Sequence, residues 1–172
     1  MGKKVLGGIP ITPHQLAAQW RFIPYKFAVN LWNFEVKAGK EAVEVFKESF
    51  DLKRLNASNS MLWRPRKDNR PHPLLNETSS LKNSIKWKRI GFIKSKGVNI
   101  YTDPKGFRNT NRHRGFCYAA VHNDPSGSHT YGRSGSPSIQ RQFMGHSNVL
   151  DDKIESIARK VVFKGFPKVG GF

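Results

Sequence analysis

The sequence has a single cysteine, Cys117, among 172 residues, and it has no long uninterrupted run of apolar residues. One cysteine excludes an internal disulfide and fits a reducing compartment. A membrane-spanning helix needs about 18 consecutive apolar residues, and no stretch approaches that length. The first fifteen residues, MGKKVLGGIPITPHQ, have two lysines but no continuous apolar segment, so they do not predict a signal peptide. We therefore expect a soluble protein made and used in the cytoplasm.

Acidic residues are scarce as well, with 12 Asp and Glu against 30 Lys and Arg, which leaves a formal net charge of +18. The few carboxylates are not placed as a general acid and base pair. His113 and Cys117 lie four residues apart, but this spacing matches no zinc pattern, and no phosphate-binding or dinucleotide motif occurs. We therefore expect a non-enzymatic protein without a metal ion or cofactor. Its charge predicts an anionic partner, since neutralising phosphates is the usual role of so much Lys and Arg.

The apolar periodicity predicts an α+β fold. Residues 26–52 form the clearest helix, because apolar residues recur there every three or four positions. Alternation in SIKWKRIGFIK (84–94) and in VNIYTD (98–103) predicts strands, and residues 149–165 predict a second helix. The apolar piece at 115–123 fits either a strand or a helix. We expect a long amino-terminal helix packed on a small twisted antiparallel sheet, with a carboxy-terminal helix and an extended amino-terminal arm.

Proline and glycine positions divide the chain. Residues 1–24 contain three prolines and several glycines, and they predict an extended arm whose large apolar residues lie against its own domain or a neighbouring subunit. Residues 25–165 form a single domain, and 166–172 form a tail. Within the domain, residues 124–138 predict a flexible loop, and a second loop, 55–80, is anchored by Leu62, Trp63 and the Leu74–Leu75 pair.

Four short motifs occur in a fixed order along the domain. The first is WRP, with Trp63 and Pro65 in a Trp-x-Pro pattern. The second, LLNETSSLKNSI (74–85), is similar to Leu-x-x-Thr-Gly-x-Leu-x-x-Ser-Ile, with Ser79 in place of the glycine. YAAVHN (118–123) and IQRQFMG (139–145) follow. The motif positions are Trp63, Pro65, Leu75, Thr78, Leu81, Ser84, Ile85, Tyr118, His122, Arg141 and Phe143.

Together these motifs resemble those of the tailed-phage virion morphogenesis or tail-completion proteins, which are neck components at the head–tail junction. The resemblance covers residues 27–163. Gln140 and Gln142 stand where that pattern has prolines, and the basic amino-terminal arm is not part of it. The resemblance implies a homo-oligomeric ring, a hexamer or dodecamer, around the channel through which DNA leaves the head.

The same resemblance implies the partners and the location. The ring would contact neighbouring connector or portal proteins and tail proteins, and DNA would pass through it without sequence recognition. The subunit would be assembled in the host bacterial cytoplasm and reside in the neck of the virion. Basic residues in two loops are the candidates to face the DNA channel, with a solvated loop as the alternative interpretation: Arg64, Arg66, Lys67, Arg70, Arg112 and Arg114.

Most motif residues are interpreted as structural. Thr78 or Ser79 could cap a short helical segment through its side-chain oxygen, while Leu81 and Ile85 enter the core. In IQRQFMG we expect Phe143 and Met144 to be buried against the sheet or the long helix. Arg141 would meet backbone carbonyls or a carboxylate, in its own or a neighbouring subunit, so the segment is a loop latch or a subunit interface.

Two other functions fit part of the sequence. A small basic nucleic-acid-binding protein of ribosomal or packaging type would be a monomer that binds RNA tightly. A phosphoryl-transfer enzyme would need a carboxylate cluster for metal ions, and none is evident in the sequence.

Overall fold

The structure is a computed structural model that describes residues 13–65, 75, 79–91, 97–107, 119–131 and 136–166. Its helices are α1 (Pro13–Arg21), α2 (Ile23–Leu52), α3 (Ser80–Ser84), α4 (Ala119–Asn123) and α5 (Asn148–Val161). Its strands are β1 (Ile85–Arg89), β2 (Val98–Thr102), β3 (Thr130–Tyr131) and β4 (Ser136–Pro137), with one 3₁₀ turn at Pro104–Phe107. The mixed α+β architecture predicted from the sequence is confirmed.

The amino-terminal arm differs from the prediction over its described part, because residues 13–21 are helical rather than extended. Pro13 is the first residue of α1, and Pro24 lies in the first turn of α2. Proline fits a first turn because the backbone N–H that it lacks has no partner there anyway. Two of the prolines interpreted as helix breakers therefore lie at helix starts. Residues 1–12 lie outside the described residues.

Helix α2 is the longest element of the structure, and only its second half is covered. Its 30 residues span about 45 Å at 1.5 Å per residue. Its buried residues begin at Glu35 and continue through Ala38, Ala42 and Val45 to Phe50. The predicted apolar stripe is therefore buried along its second half, whereas the first half of α2 extends beyond the core.

Strands β1 and β2 form an antiparallel pair in which Ile85 lies opposite Thr102 and Arg89 opposite Val98. Both strands agree with the predicted positions. Ile85 is almost fully buried, and Trp87 and Ile100 pack against the core cluster. Since directly opposed residues share a face of an antiparallel sheet, the pairs 85–102, 87–100 and 89–98 form the inner face that covers α2.

The predicted flexible loop 124–138 is organised by hydrogen bonds over its described residues. The N–H of Gly127 donates to the carbonyl of Ser138 (3.0 Å), and the N–H of Ser138 donates to the carbonyl of His129 (2.7 Å). His129 Nε2 also lies 2.8 Å from Asp124 Oδ2. Strands β3 and β4 pair antiparallel within this segment. Ser138 Oγ also accepts from the N–H of His129 at 3.2 Å, so a short polar side chain assists the backbone pairing in this segment.

Helix α5 begins at a side-chain cap, because Ser147 Oγ accepts from the N–H of Leu150 (3.2 Å). Lys153 then bridges to Glu41 of α2 at 2.8 Å. Ser147 Oγ also donates to the carbonyl of Asn56, whose N–H donates to Ser49 Oγ at 3.0 Å. This buried chain of hydrogen bonds holds the start of α5 and the loop after α2 against α2 itself.

The core lies at the carboxy-terminal half of α2, where the loop after α2, α3, β1 and residues 143–150 converge. Its buried members include Val45, Phe46, Phe50, Leu55, Trp63, Leu81, Ile85, Phe143 and Leu150. Of the predicted loop anchors, Trp63 is buried but Leu62 is 71% exposed. Leu62 was therefore wrong as an anchor. Within the described residues, no helix combines the length and the apolar character needed to cross a membrane.

Candidate assembly and nucleic-acid surfaces

The latch segment, defined as residues 139–144, is attached through its backbone to α4 of the same subunit. The N–H of Arg141 donates to the carbonyl of His122 at 2.7 Å. The N–H groups of Phe143 and Met144 both donate to Asn123 Oδ1, at 3.2 and 3.0 Å. One asparagine side chain therefore satisfies two consecutive backbone donors. These contacts connect the third motif of the sequence to the fourth.

The side chain of Phe143 anchors the latch segment in the core. Its ring lies 5.2 Å from the ring of Phe50, and Phe50 in turn meets Trp63 edge-to-face at 5.7 Å. Trp63 Nε1 donates to the carbonyl of Gln142 at 2.8 Å. The indole of the first motif thus contacts the helix with its ring and the latch with its N–H, as buried Trp side chains commonly do.

Arg141 is buried without an acceptor for its side chain among the described residues. The residue is 8% exposed, and its buried Nε has no hydrogen-bond partner. No ion pair in the described part of the chain includes its guanidinium. The expected carbonyl or carboxylate within the subunit is therefore not found there. An unpaired buried charge is costly, so this side chain favours an acceptor supplied from outside the described residues.

The described motif residues differ in how far they are buried. Trp63, Leu81, Ser84 and Ile85 are buried, and Ser84 Oγ donates to the carbonyl of Leu81 at 2.7 Å. Pro65, in contrast, is exposed. Leu75 packs partly buried against the core, and His122 is half-buried. Thr78 and Tyr118 lie outside the described residues.

Ser79 keeps a glycine-like backbone at the position where the motif has glycine. It precedes α3 with φ 54° and ψ 6°, in the left-handed region. Of the two predicted caps, Thr78 or Ser79, the side chain of Ser79 makes no capping hydrogen bond, and Thr78 lies outside the described residues. A residue with a Cβ is disfavoured in this region. The local geometry thus explains a glycine in the motif and assigns a conformational cost to the serine.

Gln140 shows what the replacement of a motif proline changes. Its backbone N–H donates to Ser126 Oγ at 2.9 Å, and its Nε2 donates to the carbonyl of Asn123 at 3.0 Å. A proline has no N–H and could not make the first of these bonds. In this chain, Gln140 therefore attaches the latch segment to the 124–138 hairpin as well as to α4.

The basic residues selected from the sequence as DNA-channel candidates lie mostly in segments that the structure does not describe. Arg64 is described and exposed. The others, Arg66, Lys67, Arg70, Arg112 and Arg114, lie outside the described residues, so these candidates stay predictions.

Sequence reasoning missed two basic side chains of β1. Lys86 and Lys88 are exposed and lie opposite Tyr101 and Asn99 of β2, on the face of the sheet turned away from α2. The signal was present in Ile-Lys-Trp-Lys-Arg, since alternate residues of a strand point to opposite faces. Once Trp87 is assigned to the inner face, both lysines must lie on the outer one.

The amino-terminal end of the helical layer exposes five large aromatic side chains. We name this group the aromatic helix end; Tyr25 is its most exposed member at 73%, and its members are Trp20, Phe22, Tyr25, Phe27 and Trp32. The described residues cover it only in part. The ring of Phe27 meets that of Phe166 at 6.4 Å, and the guanidinium of Arg89 lies 5.8 Å from the centre of the Trp32 ring. Asn30 Nδ2 donates to the carbonyls of Val162 and Lys164. Large aromatic side chains exposed in such number are typical of an interaction surface.

An open groove of about 570 Å³ lies at the opposite end of α2, between Trp63 and Gln142. Met61 and Leu62 line it and are largely exposed. No Lys, Arg, Asp or Glu belongs to the described residues that line this groove. Of the described residues that line it, only His146 has an ionisable side chain.

In the described part of the chain, no three His, Cys, Asp or Glu side chains group as a metal site.

Comparison with protein-family models, with curated proteins and with solved structures finds no match to this chain. Its function is therefore inferred from its surfaces and from the motifs that meet in its core.

Proposed function

We propose that the chain is a non-enzymatic structural subunit of a tailed-phage neck, a tail-completion protein that forms a homo-oligomeric ring at the head–tail junction. The observation that carries this proposal is the aromatic helix end, which the described residues leave largely uncovered. In the assembled neck the ring would meet connector or portal proteins on one side and tail proteins on the other.

The position of the aromatic helix end suits contact between copies of a strongly basic chain. Copies that each have a net charge of +18 repel one another. Residues 13–34 contain only Arg21 and Lys26 as formal charges, so this segment itself has few charges that repel. Apolar contact there would bury aromatic surface at about 25 cal/mol per Å² without bringing many like charges together.

The packing of the motifs supports the phage resemblance. Trp63 of the first motif, Leu81 and Ile85 of the second and Phe143 of the fourth lie in one core cluster. His122 of the third motif is bonded to the latch segment. Motifs that are spread along the sequence thus meet around one end of α2, as expected if they specify a common subunit fold.

The test is the oligomeric state of the full chain and of surface variants, by light scattering coupled to size exclusion and by negative-stain imaging. We expect rings of fixed copy number. The double variant Trp20→Ser/Tyr25→Ser should dissociate the ring while the melting temperature of the subunit stays unchanged, because both side chains are mostly exposed. The matched control is Leu52→Ser. Leu52 lies at the opposite end of α2 and is 41% exposed, so this variant should leave the ring intact.

The proposal fails if the chain remains a monomer at low and high salt. It also fails if the Leu52 variant dissociates the ring and the aromatic double variant does not. In that case another surface holds the copies together.

A second candidate function is a small basic nucleic-acid-binding protein. Lys86 and Lys88 on the outer face of β1 favour it, since they present two cations on a flat strand pair. That function predicts a strict monomer whose affinity for structured RNA exceeds its affinity for duplex DNA. The same light-scattering measurement separates the two functions.

A further inference from the structure

Positive charge is distributed unevenly along the sequence. Residues 35–54 hold five acidic and five basic side chains, and residues 148–161 hold three of each, so both helical segments are neutral. The entire excess of eighteen positive charges therefore lies elsewhere in the chain. Residues 55–147 hold sixteen basic and four acidic side chains, a surplus of twelve. The helical layer is neutral, and the part of the chain that includes the sheet is basic.

Within this basic region, the structure describes both strands of the β1–β2 hairpin and therefore the side chains on its outer face. Residues 85–102 contain five basic side chains and no acidic one. On the outer face, Lys86 lies opposite Tyr101 and Lys88 opposite Asn99. The two lysines are separated by about 7 Å along the strand at 3.4 Å per residue. Lys88 Nζ lies 5.3 Å from the centre of the Tyr101 ring.

Two other described basic side chains close to the hairpin are paired with carboxylates. Arg89, on the inner face, donates through Nε to Glu35 Oε2 at 2.8 Å. Lys82, just before β1, pairs with Asp51 at 2.8 Å. Among the described residues, no carboxylate lies within ion-pair distance of Lys86 or Lys88. The two cations that point toward α2 are thus paired with carboxylates. Lys86 and Lys88 on the outer face have no carboxylate partner among the described residues, so they can bind an external anion.

We infer that the outer face of the β1–β2 hairpin contacts the phosphodiester backbone of nucleic acid, with Lys86 and Lys88 each neutralising a phosphate. The assignment of this face to the DNA channel of a ring rests on the proposed function. Lysine ammonium groups are mobile point charges, so they suit backbone contact without base recognition. The inference also locates the channel-facing surface on a strand, whereas the sequence had suggested loops.

The experiment measures binding of the full chain to a fluorescein-labelled DNA duplex of random sequence by anisotropy, over a series of salt concentrations. The double variant Lys86→Gln/Lys88→Gln should lower the slope of log affinity against log salt by about 2, since each phosphate contact contributes about 0.9. At about 0.15 M salt, the loss of both phosphate contacts should lower the affinity for DNA by about thirty-fold.

The matched control is Lys40→Gln/Lys160→Gln, which removes the same charge from exposed positions of the neutral helical layer. We expect it to change the slope by less than half as much. Equal losses in the two double variants would show that total charge, and not this face, determines binding, and would overturn the inference. An unchanged slope in the sheet variant would overturn it as well.

Two further measurements separate this inference from the proposed function. Light scattering on the sheet variant should show an intact ring, because both lysines are exposed and unpaired among the described residues. The wild-type chain could be a monomer whose DNA affinity still depends on Lys86 and Lys88. That result would support the DNA-contact face and contradict the proposed ring. If labelled RNA binds through these lysines and duplex DNA does not, the DNA assignment is overturned.

Discussion

Trp87 of β1 lies so close to Gly39 of α2 that a Cβ atom at residue 39 would come within 2.5 Å of Cε3 of the indole. The same hypothetical atom would lie 2.6 Å from Cδ2, so it meets the ring itself and not the end of a flexible side chain. Glycine weakens a helix interior by about 0.5–1 kcal/mol relative to alanine. Here it allows the sheet to rest directly on the helix.

Gly39→Ala should therefore destabilise the subunit although alanine favours helix. The overlap forces the indole or the strand to shift, at a cost of about 1–3 kcal/mol, which exceeds the gain in helix propensity. Urea unfolding checks this outcome, with Lys37→Ala at an exposed position of the same helix as the control. A more stable Gly39→Ala protein would show that the sheet does not pack this closely.

Ser79→Gly should stabilise the subunit by about 1 kcal/mol, because glycine adopts the left-handed backbone at φ 54° without the penalty of a Cβ atom. Thermal unfolding measures the gain. Ser80→Gly, one residue later and inside α3, is the control and should be neutral or destabilising. If both variants lose stability equally, the backbone at Ser79 is not left-handed.

Phe143→Ala should destabilise the subunit by about 3–5 kcal/mol, since the ring is 1% exposed and packs against Phe50. Met144→Ala is the internal comparison. Met144 is only half-buried, so we expect about 1–2 kcal/mol. Denaturant unfolding of both variants gives the difference, and similar losses at the two positions would contradict the placement of Phe143 in the core.

Arg141→Met should raise the unfolding free energy of the dissociated subunit by about 1–3 kcal/mol, because it replaces a buried guanidinium that has no acceptor among the described residues with an apolar side chain. The same change should weaken the ring if a neighbouring subunit supplies the acceptor. Unfolding and light scattering on one preparation measure both effects, with Arg141→Lys as the variant that keeps the charge. A large loss of subunit stability would place the acceptor within the same chain.

The pair of Lys153 and Glu41 should make a small contribution to stability that disappears in strong alkali. The hydrogen bond to Glu41, opposed by burial and assisted by the charge of the carboxylate, raises the pKa of Lys153. The contribution is therefore complete below the ordinary lysine pKa of about 10.4 and is lost as the pH rises through the raised value. Both side chains are more than one-third exposed, so we expect about 0.5 kcal/mol.

Comparison of Lys153→Met with the wild type by urea unfolding, at neutral pH and above the raised pKa, tests this expectation. The stability difference should shrink at high pH. Lys160→Met, which has no carboxylate partner among the described residues, should show no such pH dependence. A difference that is constant with pH would mean that the bridge contributes nothing.

The sequence by itself determined the elements whose signal is local. The long helix, both strands of the β1–β2 hairpin and the carboxy-terminal helix follow from side-chain periodicity, because burial of one face selects the residues at that spacing. It also identified Phe143 as a core residue of the latch segment. The net charge and the order of the four motifs required no coordinates either.

Only the tertiary structure decided which faces meet. The need for glycine at residue 39 depends on the position of Trp87 against it. The burial of Trp63 and the exposure of its neighbour Leu62 also follow from the packing. The burial of Arg141 and the outward position of Lys86 and Lys88 depend on contacts between segments far apart in the chain. A local sequence pattern determines which helix or strand forms and which of its sides is apolar. The segment against which that side packs is determined by contacts among residues far apart in the chain.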